Sequence, residues 1–243
     1  MKLIKLNAID STNDFLKQLA SNQELENFTV VSAENQLNGK GQMGSNWSVE
    51  PGKNLTFSIY YFNDLQYIES IYDLNIAVAV SIIEVLKLEN IPELKIKWPN
   101  DIMSANKKIG GILIENIIKN NNGIQSIIGI GLNVNQRNYD NLPQASSLCL
   151  SSGKFFDCEN LLHKITNQVC ANILLIQEHK GNLLWDKYHQ FLYKINIPSA
   201  FENVEGVKFM GIIKKVLPNG KLEVSMEDDS LQHFNIKEIK MLY

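Results

Sequence analysis

The sequence predicts an α+β fold: a mixed, mostly antiparallel sheet packed with helices over residues 1–192, followed by a small β-module over residues 193–243. Three observations carry this expectation. Apolar residues recur at helical spacing in long segments. Short β-rich runs succeed one another through tight turns between residues 94 and 134, which is meander and not βαβ wiring. After Pro198 helical periodicity gives way to short strands around the turn Pro218-Asn219-Gly220.

Taken in order, Leu3–Ile9 alternates as a strand, and Asp10-Ser11-Thr12-Asn13-Asp14 opens an amphipathic helix with Ser11 as N-cap and Asp14 as a capping-box-like carboxylate. Phe28–Glu34 and Asn54–Phe62 read as strands rich in β-branched and aromatic residues, with a polar glycine-rich loop between them. Ile68–Leu88 places Leu74, Ala77, Val78, Ile82 and Val85 on one helical face, so it predicts a long helix lying on the sheet. Strands follow at Leu94–Trp98, at Ile109–Ile118 after an Asn106-Lys107-Lys108 turn, and at Ile124–Val134 after a turn at 120–123. Asp157–Gln177 and Leu183–Phe191 read as helices, and Val207–Val216, Leu222–Met226 and Leu231–Ile236 as strands of the terminal module.

With 44% hydrophobic and 20% charged residues the chain is globular and not disordered. No apolar run approaches the ~18 residues of a membrane span, and Asp10 and Asp14 interrupt the N-terminal stretch where a signal peptide is unbroken. A soluble, cytoplasmic protein without a membrane partner is expected. Cys149, Cys158 and Cys170 fit neither a zinc set nor a disulfide framework, so they are expected to be buried free thiols. The net charge of −3 argues against a broad grip on nucleic-acid phosphates. The chain has 22 lysines and 29 asparagines but only one arginine, Arg137, so a position that is arginine elsewhere can be another residue here.

Three stretches could carry chemistry. In Ala33–Trp47 (AENQLNGKGQMGSNW), Gly39, Gly41 and Gly44 satisfy G-x-G-x-x-G, yet Trp47, the turn Pro51-Gly52 and a strand come next. A dinucleotide fingerprint needs a helix there, so that reading is refused. The loop is either an ordinary surface connection or a flap whose N–H groups and Lys40 meet an anion while Trp47 offers a stacking face. In Lys95–Glu115, Lys95 and Lys97 share a strand face, Asn100 and Asp101 follow Pro99, and Lys108 precedes the apolar run from Ile109. Lys108 is either a solvated turn lysine or an ammonium fixed where it can stabilise a transferring phosphoryl group. In Ile127–Asn135, Gly129 and Gly131 permit close backbone approach and Asn133 supplies an amide at the strand end. The four histidines lie outside these stretches and form neither a triad nor a metal set.

With these stretches in this order, the sequence resembles the biotin protein ligases, the biotin–[acetyl-CoA-carboxylase] ligases. The resemblance rests on Ser11-Thr12-Asn13, Gln36 with the loop Gly39–Gly44 and Trp47, Lys97-Trp98-Pro99-Asn100-Asp101, Lys108 to Leu113, and Gly129 to Asn133. It implies a catalytic domain like those of the biotin ligases and class II aminoacyl-tRNA synthetases, with an SH3-like C-terminal module. It implies a two-step reaction, in which the biotin carboxylate attacks the α-phosphate of ATP, with Mg2+ as cofactor, and biotinyl-5'-AMP then delivers biotin to a lysine of a biotin carboxyl carrier protein. By the same resemblance Ser11, Thr12, Asn13 and Gln36 bind the biotin ureido group, and Gly39, Lys40, Gly41 and Gln42 form the biotin and phosphate loop. Lys108, with Gly110 and Gly111 behind it, meets the carboxylate and α-phosphate, while Trp47 and Asn133 hold the adenine. Lys97, Asn100 and Asp101 line the phosphate side, Asp101 being the candidate for Mg2+, and Lys40, Lys97 and Lys108 are the catalytic cations.

Family loops commonly read G-R-G-R-x-G, whereas Lys40 and Gln42 leave one cation of the two, which bears on adenylate retention. Ser11 stands so early that no winged helix precedes it, so DNA binding is not expected. A lipoate ligase or octanoyltransferase on a related fold, and a noncatalytic biotin or nucleotide sensor, are the rival readings. The oligomeric state, monomer or homodimer, is left open.

Overall fold

The computed structural model describes residues 2–47, 49–64, 71–119, 123–140 and 142–242. Strand β1 (Leu3–Ile9) runs directly into helix α1 (Thr12–Asn22), because extended Ser11 caps the helix and its hydroxyl accepts from the Asp14 N–H at 3.4 Å. One of the N–H groups that no helical carbonyl can reach is thereby satisfied. The Asp14 carboxylate does not complete a capping box; it is drawn instead to Lys17 and Lys40. Strand β2 (Val30–Gln36) lies parallel to β1, pairing Leu3 with Val30 and Ile9 with Gln36. Parallel neighbours end at the same edge of a sheet, so Thr12 and Gln36 meet although 24 residues separate them.

Every other pairing in this sheet is antiparallel. Its remaining strands are β3 (Leu55–Asp64), β4 (Leu94–Lys97), β5 (Asp101–Ser104), β6 (Lys107–Lys119) and β7 (Gly123–Leu132), and the seven run in the order β1-β2-β3-β7-β6-β5-β4. The mixed, mostly antiparallel sheet expected from the sequence is therefore present. Strand β5 is an addition to the expectation. It is four residues long, too short to show alternation, and Ala105 at φ 53° makes the tight turn so that Lys107 and Lys108 already belong to β6. Most of the turn expected at 120–123, and residues 68–70 of the expected helix, lie outside the described residues.

Period 2 sorts the two faces of the sheet. Phe57, Ile59 and Tyr61 of β3 join Ile128 and Ile130 of β7 and Ile112 of β6 in the main core, covered by α2 (Ile71–Leu88), α4 (Cys158–Gln177) and α5 (Gly181–Phe191). On the opposite face α1 covers only one part, where Leu16 packs with Val31, Tyr60 and Ile127. The part that α1 leaves open carries Thr56 and Ser58, Gly129 and Gly131, and Gly111 and Leu113, aligned in two cross-strand rows by the register.

A short helix, α3 (Leu148–Ser152), capped by Ser147 and closed by left-handed Gly153, was not expected from the sequence. The C-terminal segment forms a five-stranded sheet. Its strands β9 (Lys208–Val216), β10 (Leu222–Met226) and β11 (Leu231–Phe234) follow the sequence pattern, while β8 (Pro198–Asn203) and β12 (Ile239–Leu242) add to it. They run in the order β11-β10-β9-β8-β12. Phe201, Ile213 and Leu222 join the same apolar core as Ile96, and the Trp98 indole donates to the Gly220 carbonyl at 2.9 Å.

Cys149 is buried while Cys158 and Cys170 are only half-buried, and all three are free thiols. Among the described residues no cluster of three or more His, Cys, Asp or Glu is placed to hold a metal, and no helix is long and apolar enough to cross a membrane.

Candidate functional site

The open part of the sheet face is the floor of a cavity of about 240 Å³, walled by the start of α1, by the 39–47 loop and by Asn100, Asp101 and Lys108. At Gly129 and Gly131 the floor is bare backbone, because a Cβ on Gly129 would lie 2.5 Å from Asn13 Oδ1, and one on Gly131 would lie 2.5 Å from the Trp47 indole.

At one end the groups that face the cavity are neutral: Thr12, Asn13 and Ser58 are buried and Gln36 is half-buried. Gln36 Oε1 accepts from the Thr12 N–H at 2.8 Å and from its hydroxyl at 3.0 Å, which commits that oxygen and leaves the Gln36 NH2 to meet an incoming acceptor. Ser58 Oγ lies 2.8 Å from Thr12 Oγ1 and 2.6 Å from Asn13 Oδ1. Asn13 Nδ2 donates to Glu115 Oε2 at 2.7 Å and to the Leu113 carbonyl at 3.4 Å.

Two charged groupings border this pocket, Lys108 with Asp101 on one wall and a chain from Lys40 to Glu115 that runs behind Asn13. Lys108 Nζ is 2.6 Å from Asp101 Oδ1 and 5.6 Å from the centre of the Trp47 ring. Lys40 reaches from the loop to Asp14 at 2.6 Å, Asp14 lies 3.1 Å from Lys17, and Lys17 lies 2.6 Å from Glu115. Burial pushes the Asp14 carboxyl up, but the Lys40 and Lys17 ammonium groups outweigh it and hold it below the usual carboxylate range. Burial pushes Lys17 down, but Glu115 and Asp14 outweigh it and hold its ammonium above the usual lysine range.

The loop is a folded hairpin. Trp47 N–H donates to the Gly39 carbonyl at 2.8 Å, Gly41 N–H donates to Ser45 at 2.7 Å, and a single 3₁₀ turn at Gln42–Gly44 fills the tip. No α-helix begins here, in accord with the refusal of the dinucleotide fingerprint. The hairpin lays the Trp47 indole over Gly131 and Gly111, and its Nε1 is buried with no hydrogen-bond partner.

Of the residues singled out from the sequence, the structure gathers Ser11, Thr12, Asn13 and Gln36 at the neutral end, and Lys40, Gly41, Gln42 and Trp47 along the loop wall. Asn100, Asp101, Lys108 and Gly111 complete the lining. Asn100 is tied into the sheet, donating its Nδ2 to the Ile112 carbonyl at 2.7 Å. Four residues are not among those that line the cavity. Gly39 is the hydrogen-bond partner of Trp47, and Gly110 packs on β7, where a Cβ would lie 3.0 Å from the Gly131 carbonyl. Asn133 is buried and donates to the Ser146 carbonyl at 2.9 Å. Lys97 lines a neighbouring hollow of about 440 Å³ between the two sheets, which shares Gln42 and Asp101 with the cavity.

Sequence reasoning missed Ser58, Glu115 and Lys17. Ser58 carried a signal, since Thr56 and Ser58 are the polar alternates of an otherwise apolar strand. Glu115 and Lys17 carried none, because 98 residues separate them.

Residues 6–133, which include the floor strands and the Ser11–Asn13 and loop walls, match the model of the Biotin/lipoate A/B protein ligase family, and the chain belongs to that family. Among particular relatives, the bifunctional ligase/repressor BirA of Bacillus spizizenii is 32% identical over 168 residues, 67% of this chain and 51% of the relative. The biotin–[acetyl-CoA-carboxylase] ligase of Mycobacterium tuberculosis is 29% identical over 216 residues, 87% of this chain and 79% of the relative. The chain spans about half the length of the first of these relatives. The fold is that of the biotin protein ligase from Aquifex aeolicus solved in complex with biotin and ATP, with a TM-score of 0.82 at 24% identity, covering 99% of this chain and 98% of that one.

Proposed function

We propose that this protein is an ATP-dependent ligase that converts biotin to biotinyl-5'-AMP and transfers it to a lysine of the biotin carboxyl carrier domain of acetyl-CoA carboxylase or a related carboxylase, in the cytoplasm. One observation carries the reading: a single cavity joins a neutral amide and hydroxyl pocket at Thr12, Asn13 and Gln36 to two lysines, Lys40 and Lys108. Such a shape suits a ligand with a urea at one end and a carboxylate at the other.

The first step brings a carboxylate to a polyphosphate. Two unit charges at 4 Å repel by about 4 kcal/mol near a protein surface, so the barrier is largely electrostatic and cations suit it better than acids or nucleophiles. Lys108 is the candidate to meet both anions, and Lys40 to close the loop over them. Each has a carboxylate partner, Asp101 and Asp14, which the ligand would replace or bridge. Mg2+ takes few protein ligands when it arrives on phosphates, so the single carboxylate of Asp101 beside the cavity fits it as a substrate-borne ion. In the second step the carrier lysine attacks the mixed anhydride and AMP leaves. We assign residues 1–192 to catalysis and 193–243 to an SH3-like support for the site or the carrier, linked through Trp98 and Gly220.

The test is ATP–pyrophosphate exchange. Exchange that depends on biotin and not on lipoate, followed by labelling of an apo-carrier domain, supports the reading. Lipoate-dependent exchange, or binding without exchange, overturns it.

A further inference from the structure

The neutral end of the cavity contains an imbalance of protons. Three short gaps, Gln36 Oε1 to Thr12 Oγ1, Thr12 Oγ1 to Ser58 Oγ and Ser58 Oγ to Asn13 Oδ1, measure 3.0, 2.8 and 2.6 Å. Only the two hydroxyls have protons to place in them, since both amide oxygens are acceptors. This row of four oxygens is thus one proton short, which is the condition for taking an N–H from a ligand, while the Gln36 NH2 beside it suits the ligand's acceptor.

That condition holds only while Asn13 keeps its present orientation. Its side chain is 3% exposed, and turning the amide over would put Nδ2 against Ser58 and fill the deficit from within. Two acceptors oppose this, the Leu113 carbonyl at a long 3.4 Å and, much more closely, Glu115. An ionised carboxylate only accepts, so Oε2 at 2.7 Å tolerates Nδ2 and repels Oδ1. Glu115 is itself pinned, its other oxygen lying 2.6 Å from the Lys17 ammonium.

Resting on the proposed function, we infer that Glu115 is a positioning residue for ligand selection, braced by Lys17 and acting through Asn13 to keep this row of oxygens one proton short and so complementary to an N–H group of a cyclic urea. Glu115 itself is placed behind Asn13 and does not touch the ligand.

The experiment is a double-mutant cycle in biotin affinity on the full chain, by calorimetry. Glu115→Met, which removes the acceptor, is expected to raise the biotin Kd about tenfold, the equivalent of one hydrogen bond. Glu115→Gln, which can still present an oxygen, is expected to fall between it and the parent, and ATP affinity is expected to stay within twofold. On an Asn13→Ala background Glu115→Met is expected to change the biotin Kd by less than twofold. Should Glu115→Met fail to fold, Lys17→Met carries the same cycle with a loss of about threefold expected. An unchanged Kd in Glu115→Met, or an equal loss in both backgrounds, overturns the inference while leaving the proposed function standing. A parent protein that takes up no biotin overturns both.

Discussion

Asp14 and Lys40 meet at 2.6 Å across the mouth of the cavity, one from the first turn of α1 and the other from the hairpin loop. Both side chains are substantially exposed, so the pair contributes at most about 1 kcal/mol to stability. Its weight falls on ligand entry, because Asp14 competes with any anion for the loop lysine. Asp14→Asn is expected to leave the melting temperature within a few degrees and to lower the KM for the anionic substrates about two- to fivefold at low salt. The difference should shrink as ionic strength rises, and steady-state kinetics at two salt concentrations check both points.

The same network sets a pH window. The Asp14 carboxyl is held below 3.8, so its contribution to stability is present above that value and disappears as pH falls through its lower folded value. The Lys17 ammonium is held above 10.5, so its contribution is present below that value and disappears as pH rises through the higher folded one. Thermal melts of the parent and Asp14→Asn are expected to differ by a constant amount from about pH 5 to 9 and to converge in acid below the folded Asp14 value.

Lys108→Ala removes the cation proposed to meet both anions and leaves Asp101 without that partner. Folding should persist, since the side chain is about one-third exposed. Single-turnover formation of the adenylate is expected to slow by about 10²-fold or more, the usual cost of removing one fixed group that stabilises developing charge. Rates within about threefold of the parent would remove Lys108 from the mechanism.

Gln42 lines both the cavity and the neighbouring hollow, and under the proposed function it belongs to the loop that retains the adenylate. Gln42→Arg would add a charge-assisted contact that a neutral amide cannot make. Release of biotinyl-5'-AMP is expected to slow, and Lys40→Ala to speed it and raise nonspecific lysine labelling. Stopped-flow fluorescence, with Trp47 in the loop as reporter, measures the off-rates.

Gly131→Ala would place a methyl group 2.5 Å from the Trp47 indole. Overpacking of this kind costs roughly 1–3 kcal/mol unless the neighbour yields, and here the neighbour is a loop side chain. The expected result is displacement of the indole, seen as a shift in tryptophan emission, with a small loss of stability and a large loss of nucleotide affinity.

The elements that position the site were legible where one physical rule dominated. Alternation marked β1, β-branched and aromatic content marked β3, apolar runs between turns marked β6 and β7, and Ser11 marked the start of α1, since capping and burial are local demands. Strands β5, β8 and β12 are four to six residues long and take their structure from neighbours supplied by the fold. The site was legible as motifs but not as a network. Lys17, Glu115 and Asn13 come together because β6 and α1 cross on one face of the sheet, a fact of register that no segment contains. Asn133 and Lys97 show the converse: polar residues in well-marked motifs, of which one donates to a nearby carbonyl and the other lines the adjoining hollow.

Gly129 and Gly131 make the base of the cavity out of peptide planes. A side chain meeting an ill-fitting ligand can choose another rotamer, whereas a peptide clamped by strands on both sides has none to choose. The cavity therefore yields least over these two glycines and most at its sides, through the tip of α1 and the hairpin. Tolerance for a longer or bulkier tail must come from the loop, while the depth available to the head is set by strand pairing itself. Surface drift over generations would alter grip and release long before it altered depth, and a deeper or shallower relative would have to differ in the sheet.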